Sequence, residues 1–544
     1  MTVTQTTRKV KSVAAALLLT GAGALNTLAF APFTLWWLPF FTLAILVLVI
    51  GRVSHWRQAL FAGFFYGVGW FGVGISWVHV SIDQFGGLPL IASLGLMALL
   101  VSYLALFPAL AALLTYWFTL KRHNGKRLAA LTFAALWVSI EWLRSTLLTG
   151  FPWLSLGYSQ TSAGLADFAP IIGETGISFI LAASAAALAR LYQGGPVLSR
   201  VGPAVVAGVI MLSAPLLQQF KGWDYQSNSV NIVMVQGNIK QDLRWQPEQE
   251  WPTMLKYLDL TRPHFAEADI VIWPEAAIPQ LEPMAEAFLD NLNKAAFYND
   301  AALITGILDY NLSTEQAWNN LIVLGKDTAG ATEGQYFYGH ANRFSKHHLL
   351  PIGEFVPFEQ WLRHLAPIFD LPMSSFTRGS YVQPNLLAND YQLLSAICFE
   401  IAFPRQIRAN FTTDTDFILT VSNDAWFGDS IGPHQHLQIA QMRAREFGRP
   451  VLRATNNGIT ASIKPDGTIA KRLPQFKEAV LSDTLTLSTG RTWYSRFGDW
   501  PLAIIVGLVL LGTLINLRFT KRQPDPSTLN PHSTNLPSSV KHQR

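Results

Sequence analysis

Hydrophobic residues in the first 220 positions form long, nearly uninterrupted runs. Seven runs recur, at roughly 12–31, 33–50, 58–80, 88–120, 128–147, 163–192 and 201–219, and an eighth lies near 500–517. About 20 apolar residues in a helix cross a hydrocarbon core of roughly 30 Å, so each run suits one crossing. The pattern predicts a polytopic α-helical membrane bundle with about eight spans.

From about residue 229 the hydrophobic runs become shorter and richer in β-branched residues. They predict strands at 230–236, 270–273, 302–308, 320–324, 336–342, 393–397, 417–421, 451–455 and 459–463. Between several of them lie amphipathic stretches that predict helices at about 250–267, 284–298, 402–411 and 434–447. Alternating elements of this kind indicate an α/β extramembrane domain whose sheets are covered by helices.

Composition agrees with a membrane protein. Half of the residues are hydrophobic and only 14% are charged, whereas soluble domains carry about 25% charge. The 18 tryptophans suit anchoring at the lipid–water interface. The net charge of +5 comes without a basic helix interleaved with aromatic residues, so we expect no nucleic-acid partner. A single cysteine excludes an internal disulfide framework and a multi-cysteine metal site.

Lysine and arginine are placed asymmetrically around the runs. They precede the first run and recur in alternate loops, while loops 81–87 and 148–160 contain none. The positive-inside rule then places both termini in the cytoplasm. We expect a seven-span bundle over 1–220, a periplasmic domain over 221–498, a last membrane helix over 499–522 and a disordered cytoplasmic tail over 523–544. Inside one run, Glu141 and Arg144 lie three residues apart and are expected to pair.

The only cysteine, Cys398, follows the hydrophobic run Tyr391–Ile397 at a point where the chain changes direction. A strand that ends in a sharp turn exposes a nucleophile well. A lone cysteine can equally be a small buried hydrophobe, and this stretch alone leaves both interpretations open.

Two further stretches carry candidate chemistry. Glu275 ends the buried run in Asp269-Ile-Val-Ile-Trp-Pro-Glu275, where apolar neighbours should raise its pKa as suits a general base. Alternatively, Glu275 caps a turn. The second stretch sets Lys346 and Glu354 on either side of an apolar turn. The intervening His347 and His348 would point to opposite faces of a strand, which disfavours a zinc site, and no metal is expected.

The three stretches together resemble a known family. WPEAAIP around Glu275, KHHLLPIGEFVPF from Lys346 and ICFEIAFP around Cys398 occur in the order of the Glu–Lys–Cys triad of the nitrilase superfamily. That resemblance implies an α-β-β-α sandwich. With membrane spans on both sides of this domain, the chain resembles the apolipoprotein N-acyltransferase family over nearly its full length.

The resemblance implies a mechanism. Glu275 would take the thiol proton, and Cys398 would attack a phospholipid ester to form a thioester. Lys346 and a backbone N–H near Phe399 would stabilise the oxyanion. The N-terminal amine of a diacylglyceryl-modified apolipoprotein would then take the acyl chain, so two half-reactions would share one acyl-enzyme in ping-pong order. No cofactor is expected, and we expect a monomer in the bacterial inner membrane.

Other residues match the family pattern in supporting positions. Glu354 would hold Lys346 charged and oriented, and Glu400 would shape the pocket. Phe399 stands where the family pattern leads us to expect tyrosine, so a role for that hydroxyl is in doubt. Trp245 and Trp426 are candidate substrate-binding residues, although packing would explain each equally well.

Two rival functions remain at this point. A membrane-tethered hydrolase of the same superfamily would share the triad and differ only in its acyl acceptor. The second rival is a transporter or lipid-binding module whose extramembrane domain is catalytically inactive. The intact Glu275, Lys346 and Cys398 argue against this function.

Overall fold

The computed structural model describes residues 3–85, 89–120, 129–193, 196–351, 353–355 and 376–520. Each of the eight apolar runs contains a helix. In the first part these are α1 (Val3–Asn26), α2 (Leu38–Ile50), α3 (Trp56–Gly74) with the short α4 (Val78–Val80), α5 (Leu90–Thr115), α6 (Ala129–Arg144), α7 (Ala169–Leu191) and α8 (Val197–Ser213). The expected disordered tail over 523–544 lies outside the described residues.

Fewer helices are long enough to cross a membrane than the eight apolar runs predict. Among the described residues, five helical segments are long and apolar enough to cross a membrane, and a sixth crossing is possible if α3 and the segment Val78–Gln84 count as one span bent by 59°. The helices α2 and α6 have only 13 and 16 residues. A helical membrane bundle is therefore confirmed, while the count of eight spans stays a prediction.

The second half of the chain contains two sheets and the helices beside them. The strands are β1 (Trp223–Gln236), β2 (Ile270–Ile272), β3 (Ile278–Leu281), β4 (Ala302–Asn311), β5 (Gln316–Gly325), β6 (Arg343–Ser345), β7 (Leu386–Ala388), β8 (Tyr391–Ile397), β9 (Phe417–Ser422), β10 (Val451–Thr455), β11 (Ala461–Ile463), β12 (Ile469–Arg472) and β13 (Ala479–Gly490). The helices are α9 (Pro247–Thr261), α10 (Glu286–Tyr298), α11 (Pro404–Asn410), α12 (Gly432–Phe447), α13 (Trp493–Phe497) and α14 (Trp500–Thr520).

The first sheet has the order β13-β1-β2-β4-β5-β6, with β3 paired to β4, and the second has the order β12-β11-β10-β9-β8-β7. Apolar side chains of both sheets, such as Ile232, Ile304 and Leu419, form one core between them. A second core lies between the first sheet and helices α9 and α10. These layers are the α-β-β-α sandwich expected from the resemblance.

The outer face of the second sheet distinguishes this molecule from a free-standing sandwich. Helix α12 covers that face, and its residues Leu437, Met442 and Phe447 share one continuous apolar cluster with residues of the membrane bundle. The sandwich is therefore packed directly on the bundle rather than joined to it by linkers alone.

One strand prediction is wrong, and several strands were not predicted. The segment 336–342 forms a turn in which His340 N–H donates to the Phe337 carbonyl and Gly339 has a left-handed φ of 85°. Glycine takes this conformation readily, and it breaks an extended run. The strands without a predicted counterpart are β3, β6, β7, β12 and β13.

The buried pair in α6 has the structural role that the spacing predicts. The nearest oxygen–nitrogen distance between Glu141 and Arg144 is 4.0 Å. The guanidinium also donates to the carbonyls of Phe151 and Trp153 at 2.8 and 2.6 Å, and the carboxylate accepts the Leu156 N–H at 3.1 Å. The pair thus holds the loop 151–156 against the end of α6.

Candidate active site

The three predicted catalytic residues come from strand ends in the two sheets. Glu275 follows β2 and Lys346 directly follows β6, both in the first sheet, whereas Cys398 directly follows β8 in the second sheet. Lys346 Nζ lies 3.2 Å from Glu275 Oε1, and Glu400 accepts the backbone N–H groups of His347 and Ile397, the chain neighbours of Lys346 and Cys398. The structure therefore brings the three residues to one place between the sheets.

Lys346 lies between two carboxylates. Its Nζ is 3.2 Å from Glu275 Oε1 and 2.6 Å from Glu354 Oε1. The lysine side chain is only 2% exposed, and the two carboxylates are 10% and 14% exposed. Burial alone would lower the pKa of Lys346, but the two carboxylates outweigh it and raise that pKa well above its usual value. The ammonium group therefore stays charged at every physiological pH.

Glu275 is held in its ionised form. Burial acts to raise its pKa, but the Lys346 ammonium, the Asn319 amide, the Arg244 guanidinium and the Asn423 N–H together lower it. Asn319 Nδ2 donates to Oε1 at 2.8 Å and the Asn423 N–H donates to Oε2 at 3.0 Å. The sequence-based expectation of a raised pKa is wrong, because apolar neighbours in the sequence do not reveal the cations that the fold brings in.

The backbone around Glu275 is also fixed from outside its own strand. The Arg244 guanidinium donates to the carbonyl oxygens of both Glu275 and Ala276. Ala276 has a φ of 42°, a left-handed conformation that costs a non-glycine residue energy. The arginine thus stabilises the turn that directs the carboxylate at Lys346.

Cys398 occupies the predicted sharp turn. Its φ is 55°, and it begins the short 3₁₀ helix Cys398–Ala402 immediately after β8. The side chain is partly exposed. Burial and the negative charge of Glu275 raise the pKa of the thiol well above its usual value, and Lys346 offsets only part of that rise. At rest the site therefore holds a protonated thiol and an ionised carboxylate.

Glu400 ties the cysteine turn to the lysine loop. One of its oxygens accepts the backbone N–H groups of His347 and His348, each at 2.9 Å, and the side chain of Gln406 at 2.7 Å. The other oxygen accepts the Ile397 N–H at 2.8 Å. Four donors on one fully buried carboxylate fix the relative positions of the segments that carry Lys346 and Cys398.

Phe399 faces the membrane bundle. Its ring centroid lies 6.1 Å from that of Trp153 in a stacked arrangement and 6.2 Å from that of Phe151. It also lies edge-on to Phe403. The residue after the nucleophile is thus embedded among aromatic rings of both domains.

The two predicted substrate-binding tryptophans lie at the rim. Trp245 and Trp426 are each 40% exposed. The Arg244 guanidinium lies over the Trp245 ring at 5.5 Å, and the Trp426 carbonyl accepts the hydroxyl of Ser81 from the bundle at 2.6 Å. Their contact with acyl chains stays a prediction.

The two adjacent histidines have separate partners. His347 Nδ1 lies 2.7 Å from the Gly379 carbonyl, and the His348 ring stacks on Phe403 with centroids 3.5 Å apart. Within the part of the chain that the structure describes, no three His, Cys, Asp or Glu side chains are grouped to hold a metal ion.

Sequence reasoning missed Arg244, Asn319 and Asn423 as members of the site. A signal existed for Asn319, because Asn319 and Asn320 are two polar residues that are buried within strand β5. Arg244 directly precedes Trp245, which was singled out, and a buried arginine beside a strand end can be found only in three dimensions.

Comparison with known proteins identifies the family of both halves of the chain. The family model for the apolipoprotein N-acyltransferase N-terminal domain matches residues 22–187, and the carbon-nitrogen hydrolase model matches residues 231–495. The apolipoprotein N-acyltransferase of Shewanella oneidensis is 49% identical over 513 residues, which cover 92% of this chain and 94% of that protein.

Two more distant relatives extend the same result. The apolipoprotein N-acyltransferase of Vibrio cholerae is 48% identical, over 89% of this chain and 94% of that protein. That of Azotobacter vinelandii is 42% identical, over 94% of this chain and 97% of that protein. Identity of 42–49% over about nine tenths of the chain shows that this membrane protein belongs to the apolipoprotein N-acyltransferase family.

Proposed function

We infer that this protein transfers an acyl chain from a phospholipid to the N-terminal amine of the diacylglyceryl-modified cysteine of apolipoproteins, the last step of bacterial lipoprotein maturation. The observation that carries this proposal is the buried Glu275–Lys346–Glu354 cluster beside the single cysteine, in a domain packed directly on apolar helices. Lipid-anchored substrates could reach such a site along the bundle without leaving an apolar environment.

The first half-reaction forms an acyl-enzyme. Glu275 takes the proton of the Cys398 thiol as sulfur attacks the ester carbonyl of the phospholipid. A thioester bond forms, the ester C–O bond breaks, and Glu275 returns the proton to the departing lysophospholipid oxygen. Because the pKa of Glu275 is lowered and that of Cys398 is raised, the proton moves only while the carbonyl is being attacked.

Negative charge on the carbonyl oxygen is stabilised by groups already in place. The Lys346 ammonium stays charged between its two carboxylates, and the Phe399 N–H belongs to the first turn of a helix, where no intrahelical acceptor is available. A preorganised donor of this kind lowers the barrier by roughly 3–4 kcal/mol.

The second half-reaction passes the acyl chain on. The amine of the lipoprotein attacks the thioester, Glu275 takes a proton from the nitrogen, and the C–S bond breaks as the amide forms. The proton then returns to sulfur, which restores the thiol. Two substrates that share one acyl-enzyme give ping-pong kinetics.

The proposed topology places this chemistry at the outer leaflet of the bacterial inner membrane. We propose a bundle over 1–220, a periplasmic catalytic domain over 221–498, a membrane helix over 499–522 and a cytoplasmic tail over 523–544, in a monomer with both termini in the cytoplasm. The alternation of lysine- and arginine-containing loops supports this orientation.

Intact-protein mass spectrometry after incubation with phospholipid tests the proposal. We expect one added acyl mass, located on Cys398 and removed by hydroxylamine, and no adduct on the Cys398→Ala variant. An unmodified wild-type protein that nevertheless releases free fatty acid would favour the hydrolase and contradict the acyltransferase.

A further inference from the structure

A fully buried histidine lies directly behind the nucleophile, and the mechanism above does not use it. His436 lies on helix α12, and its Nε2 is 3.1 Å from the Cys398 carbonyl oxygen. Its Nδ1 lies 3.2 Å from Arg453 Nη2 and 3.3 Å from Asp424 Oδ1. All three side chains are 0–1% exposed.

The neighbours of His436 determine which nitrogen carries its proton. A carbonyl oxygen only accepts, so Nε2 must be the donor to Cys398. Burial and the Arg453 charge lower the pKa of His436, which keeps the ring neutral and leaves Nδ1 as an acceptor. Arg453 supplies the donor for Nδ1, and it also donates to Asp424 Oδ2 at 2.6 Å. Asp424 therefore holds Arg453, and Arg453 holds the imidazole in one tautomer.

The carbonyl that accepts this hydrogen bond belongs to the same peptide unit as the Phe399 N–H. A donor on the carbonyl draws electron density from the peptide nitrogen and makes the N–H a stronger donor in turn. It also holds that peptide in the orientation set by the left-handed Cys398, whose φ is 55°.

We propose that His436 is a positioning residue that fixes and polarises the Cys398–Phe399 peptide, so that the Phe399 N–H stabilises the oxyanion of acyl transfer. The proposal rests on the proposed thioester chemistry. It gives His436 no contact with substrate.

The membrane bundle supports the imidazole from its other side. Gln435, the preceding residue, accepts the indole N–H groups of Trp153 and Trp77 at 2.7 and 3.3 Å and donates to the Gly74 carbonyl at 3.1 Å. The Trp153 ring centroid lies 5.4 Å from that of His436. The bundle thereby fixes the segment of α12 that carries the donor.

Two reactions of the Cys398 thiol distinguish a role of His436 in oxyanion stabilisation from a role in stabilising the fold. One reaction forms an oxyanion and the other does not. With a p-nitrophenyl ester, sulfur attacks the carbonyl through an oxyanion, p-nitrophenolate leaves and Glu275 takes the thiol proton. With iodoacetamide, Glu275 again takes the thiol proton and the S–C bond forms as iodide leaves, but no oxyanion arises. The activated ester acylates Cys398 whether or not phospholipid is the natural acyl donor. A protein that reacts with the ester but not with phospholipid would contradict the proposed function without contradicting the role of His436.

The test compares His436→Asn with His436→Gln in the full-length protein. Asparagine places its polar atoms near the position of Nδ1, whereas the longer glutamine places an amide nitrogen near Nε2 and can still donate to Cys398. We expect His436→Asn to slow acylation of Cys398 by roughly 10–100-fold, while alkylation stays within about threefold of wild type. His436→Gln should recover most of the acylation rate.

The matched control is His434→Asn, because His434 lies on the same helix, is only half-buried, and faces Arg472 and Asp429. We expect it to change neither rate. The proposal is overturned if His436→Asn slows both reactions equally, if it slows neither, or if His436→Gln is as slow in acylation as His436→Asn.

Nitrogen-15 spectra of histidine in the wild-type protein give a readout that needs no variant. We expect a neutral His436 ring protonated at Nε2, and protonation at Nδ1 alone would also overturn the proposal.

Discussion

Two buried clusters of charge in this molecule are built from similar residues and differ in what surrounds them. In the site, Lys346 lies between Glu275 and Glu354, next to a partly exposed thiol. Where the sandwich meets the bundle, Arg443 pairs with Glu446 at 2.8 Å, and both side chains are completely buried. Glu446 also accepts the Glu174 N–H from helix α7 at 2.7 Å, and Arg443 donates to the Tyr158 hydroxyl at 2.9 Å.

The comparison shows that burial and pairing alone do not mark a catalytic site. Burial raises the pKa of Glu446 to about 7 even though Arg443 acts against it, whereas the pKa of Glu275 is lowered. The Glu446 cluster joins two domains, and among the described residues its contacts include no thiol. In the Glu275 cluster, an ionised carboxylate lies near a protonated thiol. Proton transfer from a nucleophile to a base requires such a pair, and the Glu446 cluster does not contain one.

The largest expected effect is on activity at the site. Lys346→Met removes the cation that stabilises the oxyanion and leaves Glu275 and Glu354 without their shared partner, so acyl transfer should fall by ~10²–10³-fold. Transfer of labelled acyl chain to a lipopeptide measures this. The matched control is Lys294→Met, since Lys294 forms an exposed pair with Asp290 and should leave activity unchanged. Equal activity in both variants would remove Lys346 from the mechanism.

The Glu446 cluster should respond in stability rather than in chemistry. Above the Glu446 pKa of about 7, where the carboxylate is ionised, Glu446→Gln leaves the Arg443 charge buried without its partner, which costs roughly 3–5 kcal/mol. We expect a lower midpoint of thermal unfolding in detergent, with an acylation rate per folded molecule close to that of wild type. A normal midpoint combined with lost activity would mean that this cluster is catalytic and that the two clusters are not distinct.

The free energy of unfolding should depend on pH through His348, which lies in the loop that follows Lys346. Burial lowers the pKa of His348 from 6.5 to about 4. The folded state then binds fewer protons than the unfolded state between these values, so this contribution to stability is complete above about pH 6.5 and is lost as the pH falls towards 4.

His348→Phe keeps the stacking on Phe403 and removes the titration. We therefore expect the variant to lose less stability than wild type between about pH 6.5 and 4, by roughly 2 kcal/mol. Unfolding midpoints measured across this range provide the test. Parallel pH profiles for the two proteins would show that His348 does not titrate as its burial requires.

The smallest expected effect comes from the outer carboxylate of the site. Glu354→Gln removes one charge-assisted hydrogen bond to Lys346 while Glu275 still holds the ammonium, so turnover should fall only about tenfold. Glu275→Gln, in contrast, should lower turnover by ~10²–10³-fold, as Lys346→Met does, because the base itself is lost. If the two variants were equally inactive, Glu354 would take part in proton transfer rather than orient Lys346.

The sequence was sufficient for the parts of the site that are local. Cys398 after an apolar strand and Glu275 after a buried run were candidates from their own neighbours, and the family resemblance singled them out. Lys346 could be matched to the nitrilase superfamily through the long segment KHHLLPIGEFVPF that it begins. The two-sheet sandwich also followed from alternating elements together with the family resemblance.

Long-range features could not be predicted in the same way. The pKa of Glu275 depends on Lys346, which is 71 positions away in the chain. In the sequence, His436 is one polar residue of a predicted amphipathic helix. Its contact with Cys398 joins residues 38 positions apart, so no local pattern indicates it. Strand β13 pairs with β1 from the far end of the domain, so no local pattern identifies it as the edge partner of the first sheet.

Transfer from an isolated acyl-enzyme tests the central claim most directly. The protein is first acylated with labelled phospholipid, freed of lipid, and then mixed with a peptide that carries an N-terminal diacylglyceryl-cysteine. The account predicts that the label leaves Cys398 and appears as an amide on the peptide at least as fast as steady-state turnover. A label that stays on the protein, or that appears only as free fatty acid, would contradict it.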